Sequence, residues 1–107
     1  MRSDRLEKLQ EGHFFFDPAD PIYADHFPGS PVVPGSLIIQ AFVAAAGRAE
    51  VTHSSVMLEN FRFKRFISPG TYAYRLVLSA EGEGRANLQC TLYSKGDAVV
   101  TGTLKWS

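Results

Sequence analysis

The chain has 107 residues, 45% of them hydrophobic and 12% aromatic, with eleven basic and eleven acidic side chains and a formal net charge of zero. That length suits one domain, the apolar content excludes a disordered tail, and the charge balance argues against nucleic acid or an anionic membrane as the main partner. The single cysteine, Cys90, excludes an intrachain disulfide framework and a cysteine-only zinc site; residues 1–11 lack the apolar core of a signal peptide and no run of about 18 apolar residues occurs, so a cytoplasmic domain that crosses no membrane is expected.

Residues 1–11 are rich in helix formers but poor in apolar anchors, which predicts a short, marginal helix or a frayed leader. A brief aromatic strand follows at residues 13–16. Residues 17–34 hold five prolines, Pro18, Pro21, Pro28, Pro31 and Pro34. Proline fixes φ and removes a donor, so this is a stiff, irregular segment, and long loops in small domains commonly carry function. The best helix covers residues 34–48, opened by Pro34 or Gly35 and closed near Gly47. Only Ser36 and Gln40 interrupt its apolar residues before Arg48, and a helix apolar all round is expected to be buried.

The period then changes to two. Over residues 56–67, Phe61 and Phe63 share one face while Asn60, Arg62 and Lys64 share the other. Ser68-Pro69-Gly70 is a turn. Tyr72, Tyr74, Leu76 and Leu78 alternate in the next strand, and Leu88, Cys90 and Leu92 in the one after a glycine-containing loop. Lys95-Gly96-Asp97 reads as a hairpin turn before a last strand that carries Val100, Leu104 and Trp106 on one face. The order predicts an α+β architecture in one domain, residues 1–107. An antiparallel sheet, with residues 56–106 as a four-strand meander, wraps around one central buried helix.

Chemistry concentrates in His26-Phe27-Pro28-Gly29-Ser30-Pro31-Val32-Val33-Pro34-Gly35-Ser36-Leu37. A histidine in a rigid loop just before a helix is suited to proton transfer, its ordinary pKa lying near 6.5. The helix start offers the N–H groups of Gly35, Ser36 and Leu37 to an oxyanion or a thioester carbonyl. A histidine that only braces the loop is the plainer reading; the whole constellation favours the chemical one. Asp25, His13 and His53 are weaker candidates, and Cys90 alternates with core leucines, so burial is its expected role. No metal-ligand spacing and no nucleotide-binding glycine motif occurs, so neither a metal nor a nucleotide cofactor is expected.

The pattern HFPGxPxxPGxL followed by an apolar helix resembles the active-site stretch of the 3-hydroxyacyl-acyl-carrier-protein dehydratases, hot-dog-fold enzymes of fatty acid biosynthesis. Phe61-Arg62-Phe63-Lys64-Arg65 with Pro69-Gly70 is similar to the family's strand after the helix, and the resemblance spans residues 12–106 of what looks like a short member. It implies a hot-dog fold and elimination of water from a 3-hydroxyacyl thioester to the trans-2-enoyl thioester. By the same resemblance His26 takes the C2 proton, the Gly35 N–H polarises the thioester carbonyl, and Phe27, Pro34, Ser36 and Phe63 line the substrate. Arg62, Lys64 and Arg65 would meet acyl carrier protein and its phosphopantetheine arm. No cofactor is implied beyond the carrier of the substrate, the phosphopantetheine of acyl carrier protein or CoA. A homodimer is implied too, because the family's catalytic carboxylate comes from the other subunit.

That carboxylate belongs fourteen residues after the histidine, where this chain has Gln40. An amide holds a hydroxyl by hydrogen bonds but cannot give up a proton near neutral pH. Whether the chain is itself an active enzyme is therefore open. His26 works alone or with water, or a different subunit supplies the acid in a heterodimer or higher oligomer, or the chain binds acyl thioesters without dehydrating them. A hot-dog thioesterase, in which water attacks the same polarised carbonyl, is a further reading.

Overall fold

The computed structural model describes residues 6–25, 29, 31–48, 56–80 and 86–106. In chain order the elements are β1 (Leu6–Phe16), α1 (Ile22–Asp25), α2 (Gly35–Arg48), β2 (Met57–Phe63), β3 (Gly70–Ala80), β4 (Ala86–Ser94) and β5 (Asp97–Trp106). The five strands form one antiparallel sheet in the order β1-β3-β4-β5-β2, and α2 lies across one face of it. The expected sheet around one helix is therefore present, with four departures from the sequence reading.

The first is at the N-terminus. From Leu6 onward the expected leader or helix is strand, paired with β3 in unbroken register from Leu6↔Ala80 to Phe16↔Gly70. So short a helix without an apolar stripe is marginal on its own, whereas a ladder satisfies the backbone over the whole length. Alternation sends Phe14 and Phe16 into the core and leaves Leu9, Glu11, His13 and Phe15 outside. The second is α1, a single turn within the proline-rich segment. The Asp17 and Asp20 carboxylates accept hydrogen bonds from the N–H groups of Ala19 (2.8 Å) and Ile22 (3.0 Å), which shapes the entry to that turn.

The third concerns the meander. Only β3, β4 and β5 follow one another across the sheet; β2 crosses to the far side and pairs with β5. The pairing carries a bulge between Glu59 and Arg62, with Asn60 at φ 55°. The extra residue turns Phe61 inward over Gly102 of β5, where a Cβ would collide with the Phe61 ring. The β4–β5 turn is as expected: Lys95 (φ 53°) and Gly96 (φ 85°) both occupy the left-handed region, the two-residue turn that matches strand twist.

The fourth is the helix. Phe42 is wholly buried, meeting Phe14 edge-on at 5.3 Å and Phe61 at 6.3 Å, and Ile38, Ala45 and Ala46 share its side. Opposite them Ser36, Gln40, Val43, Ala44 and Gly47 are exposed. A single chain thus covers one side of α2, not all of it. The small Ala45 and Ala46 keep the helix close to the sheet, and the amide of Gln10 spans the remaining gap at its far end, donating to the Tyr74 hydroxyl at 3.1 Å and the Ala45 carbonyl at 3.5 Å.

Two outcomes follow from this packing. Gly102→Ala should cost about 1–3 kcal/mol in a denaturant melt through overpacking, and the cost should shrink when Phe61 is also made Leu. A loss that is the same in both backgrounds would mean that the ring is not what excludes the methyl. Burial pushes the Cys90 thiol up from 9.0 to about 12. The native state therefore holds this proton more tightly than the unfolded chain. Its stabilising share is whole below pH 9 and drains away between about pH 9 and 12, at up to about 1.4 kcal/mol per pH unit. Cys90→Ala should flatten that part of the stability–pH curve.

Candidate active site

The start of α2 lies where the proline-rich segment reaches the sheet. Val33 donates its N–H to the Ile67 carbonyl at 2.9 Å, tying the segment to the chain just after β2. Pro34 then caps the helix: its carbonyl accepts from Leu37 (3.0 Å) and Ile38 (3.3 Å). Of the three N–H groups expected at the helix start, Leu37 is therefore engaged. Those of Gly35 and Ser36 have no acceptor among the described residues. Free N–H groups in the first helical turn carry the positive end of the helix dipole and suit an oxygen that gains negative charge.

An apolar cavity of about 330 Å³ reaches Gly35, lined by Val32 to Gly35 and Ile38 on one side and by Phe63 and Arg65 to Ile67 on the other. Phe63 forms its wall next to Gly35, where a Cβ would stand 3.1 Å from the ring tip. Any side chain at position 35 would push that ring away, so here glycine serves a close approach and not a turn. Pro34, Gly35 and Phe63 are thus brought together as the sequence suggests. Ser36 lies beside them on the exposed side of the helix. The expectations for His26 and Phe27 fall outside the described residues, as does that for His53.

Gln40 is not brought to this cavity. It follows Ile38 by two residues, which at about 100° per residue sets it nearly opposite on the helix, and it is exposed among Ser36, Val43, Ala44 and Gly47. Within one chain the amide and the free N–H groups face different ways. Nor do Arg62, Lys64 and Arg65 act as one basic patch. Arg62 lies on the outer face of the sheet in a polar groove with Asn60, Gln89, Thr91, Thr101 and Thr103. Arg65 stands at the cavity, its guanidinium 3.4 Å from the Asp97 carboxylate. Lys64 is exposed while its N–H donates to the Val99 carbonyl at 2.8 Å. Among the described residues neither Arg62 nor Lys64 has an ion-pair partner.

Sequence reasoning passed over Phe66, the most exposed large apolar side chain at 87%. Its signal was present: an aromatic directly after two cations and one residue short of the Ser68-Pro69-Gly70 turn, at a point where strand alternation has stopped. Sequence reasoning also missed the open apolar border of the molecule, where Met57 and Leu58 on edge strand β2 and Val56 just before it are exposed, as is Val43 on α2. Among the described residues no cluster of three His, Cys, Asp or Glu could hold a metal ion, and no helix is long and apolar enough to cross a membrane.

Known proteins resemble this chain in sequence and in fold. The chain is 36% identical over 93 residues to the 3-hydroxyacyl-acyl-carrier-protein dehydratase FabZ of Haemophilus ducreyi, covering 73% of this chain and 58% of that protein. It is 30% identical to FabZ of Herpetosiphon aurantiacus, covering 72% and 65%. The chain thus spans roughly three fifths of the length of these relatives. Among solved structures it superposes on the dehydratase heterocomplex ApeI:P from Xenorhabdus doucetiae with a TM-score of 0.62 at 16% identity, over 98% of this chain and 97% of that one. The (R)-hydratase from A. caviae gives 0.66 at 17% identity over 92% of both chains. A mutant of the fluoroacetyl-CoA-specific thioesterase FlK with fluoroacetate and CoA gives 0.67 at 18% over 98% and 92%. At such identities the likeness gives the fold, which is the hot-dog fold of hydratases and thioesterases. A family model described as ApeI-like, ApeI dehydratase, matches residues 3–103. On that match the chain belongs to the ApeI-like dehydratase family.

Proposed function

We propose that the protein works in the dehydration of 3-hydroxyacyl thioesters, on a site completed by a second chain. The observation that carries this reading is the pair of N–H groups at Gly35 and Ser36 that have no acceptor among the described residues, with Gly35 at the wall of an apolar cavity, in a chain of a dehydratase family. The thioester carbonyl oxygen would accept from those N–H groups. His26 would remove a proton from C2, and the charge that moves onto the carbonyl oxygen would be held by the helix start. The C3–O bond then breaks, C2=C3 forms, and the hydroxyl leaves as water once it has received a proton. The reaction needs no redox or nucleotide cofactor.

The last proton is what Gln40 cannot supply. Its exposed place on the helix supports a role toward a neighbouring chain and not toward its own cavity. A partner with a carboxylate at the matching helix position would give this chain the acid that it lacks, and the fold's likeness to a dehydratase heterocomplex supports that arrangement. The apolar border formed by β2 and the open side of α2 is the surface such a chain, or a second copy, would cover. Acyl carrier protein is the proposed donor of the substrate, with the exposed Arg65 at the rim of the cavity as candidate contact, and the cytoplasm the proposed location.

The decisive assay follows enoyl product and free thiol from a 3-hydroxyacyl thioester. The expected result is slow enoyl formation by the wild type, a fall of about 10²–10⁴-fold in His26→Ala, and a gain of at least about ten-fold in Gln40→Glu. Thiol release without enoyl product would turn the reading to a thioesterase; binding without turnover in every variant would turn it to an acyl-binding subunit. For the assembly, Val43→Arg should reduce the mass seen by sedimentation to that of one chain, and activity should fall with it. A variant that sediments unchanged would remove α2's open side from the interface.

A further inference from the structure

The cavity beside Gly35 has a feature that the chemistry at the helix start does not use. Lys64 and Ile67 are both anchored, the first by its N–H on the Val99 carbonyl at 2.8 Å and the second by its carbonyl under the Val33 N–H at 2.9 Å. Ile67 is also buried in the core. Arg65 and Phe66 between them form a short lip over the cavity. The Arg65 guanidinium is turned to Asp97, so the charged group among the described lining residues already has an ion-pair partner. Phe66 lines the same cavity, yet its side chain is 87% exposed. An aromatic ring fixed at the rim of an apolar hollow and left almost wholly in water lacks an apolar neighbour that would cover it.

We infer that Phe66 is a specificity-determining residue that closes the cavity over the apolar tail of an acyl thioester. This rests on the thioester reading above and extends it from the reacting carbons to the far end of the substrate. The lining favours an uncharged, apolar occupant. Val33, Ile38, Phe63, Phe66 and Ile67 offer no polar side chain, and the one cation among the described lining residues is paired. Size points the same way. The volume of about 330 Å³ is twice the ~150 Å³ that holds one benzene ring in an apolar core. At ~30 Å³ for a group the size of water, it admits up to about ten methylenes. A short acyl group bound at the Gly35 N–H would leave Phe66 uncovered, while a medium-length tail would reach under it.

The test is equilibrium binding of saturated acyl-N-acetylcysteamine thioesters, acetyl to dodecanoyl, read by calorimetry beside the turnover series with the matching 3-hydroxyacyl thioesters. In the wild type, affinity should rise about four-fold per methylene until the cavity is full and then level off. Phe66→Ala, at an exposed position that should not disturb folding, should weaken the octanoyl and decanoyl thioesters on the order of ten-fold and leave acetyl unchanged. Phe66→Leu should lie between. Equal loss for acetyl and decanoyl, or no loss for either, would overturn the assignment. So would a change in sedimentation of Phe66→Ala, which would mean that a second chain covers the ring. Length-dependent binding without enoyl product would sink the dehydratase reading and leave Phe66 its role. Enoyl formation with the same length profile in Phe66→Ala would do the reverse.

Discussion

The contact on which the rest of the chain depends is that of one side of α2 with the concave face of the sheet, centred on Phe42. Its ring is held by Phe14 from β1 and by Phe61 from β2, the two edge strands, so one side chain gathers both borders of the sheet under the helix. Around it the helix carries small residues at its C-terminal end and glycine at its start, where bulk would lift it off the sheet. Glycine lets Phe63 close on the helix start, where the N–H groups of Gly35 and Ser36, like those of any first turn, lack an intrahelical partner and have no acceptor among the described residues. Packing and candidate chemistry therefore share their residues, and a change that loosened the helix start would alter both.

The sheet was readable where alternation is clean. Tyr72 to Leu78, Leu88 to Leu92 and the Lys95-Gly96 turn stand where the period of two and the turn chemistry place them. β1 was hidden because Leu6 to Glu11 have good helix propensity, and only the long-range ladder with β3 overrides it. The crossing of β2 was hidden for a related reason: alternation tells which face a residue takes but not which strand lies beside it. For the site, Pro34, Gly35 and Phe63 follow from local pattern, since a capping proline, a first-turn glycine and an inward aromatic are each legible. The opposite directions of Gln40 and the cavity follow from the helical angle alone and could have been drawn from sequence. Phe66 had a local cue, an aromatic after two cations near a turn, but its exposure depends on how two anchors fix the segment around it.

The chain's surface says something that its composition does not. A folded protein of 11.8 kDa exposes about 5,900 Å², and this chain exposes 6999 Å². The uncovered side of α2 and the exposed apolar residues of β2 are part of that surface. Zero net charge, which at first only set aside nucleic acid, also means that no long-range repulsion keeps copies of the chain apart.

The bulge at Asn60 and Phe61 has a consequence for how such a surface behaves in a crowded cell. An edge strand with exposed Met57 and Leu58 invites strand after strand to add, the route to fibrous aggregates. The kink interrupts the regular ladder a few residues along and twists the border away from the plane in which a flat neighbour would stack. Strand addition along this edge is therefore confined to the few regular residues before the kink.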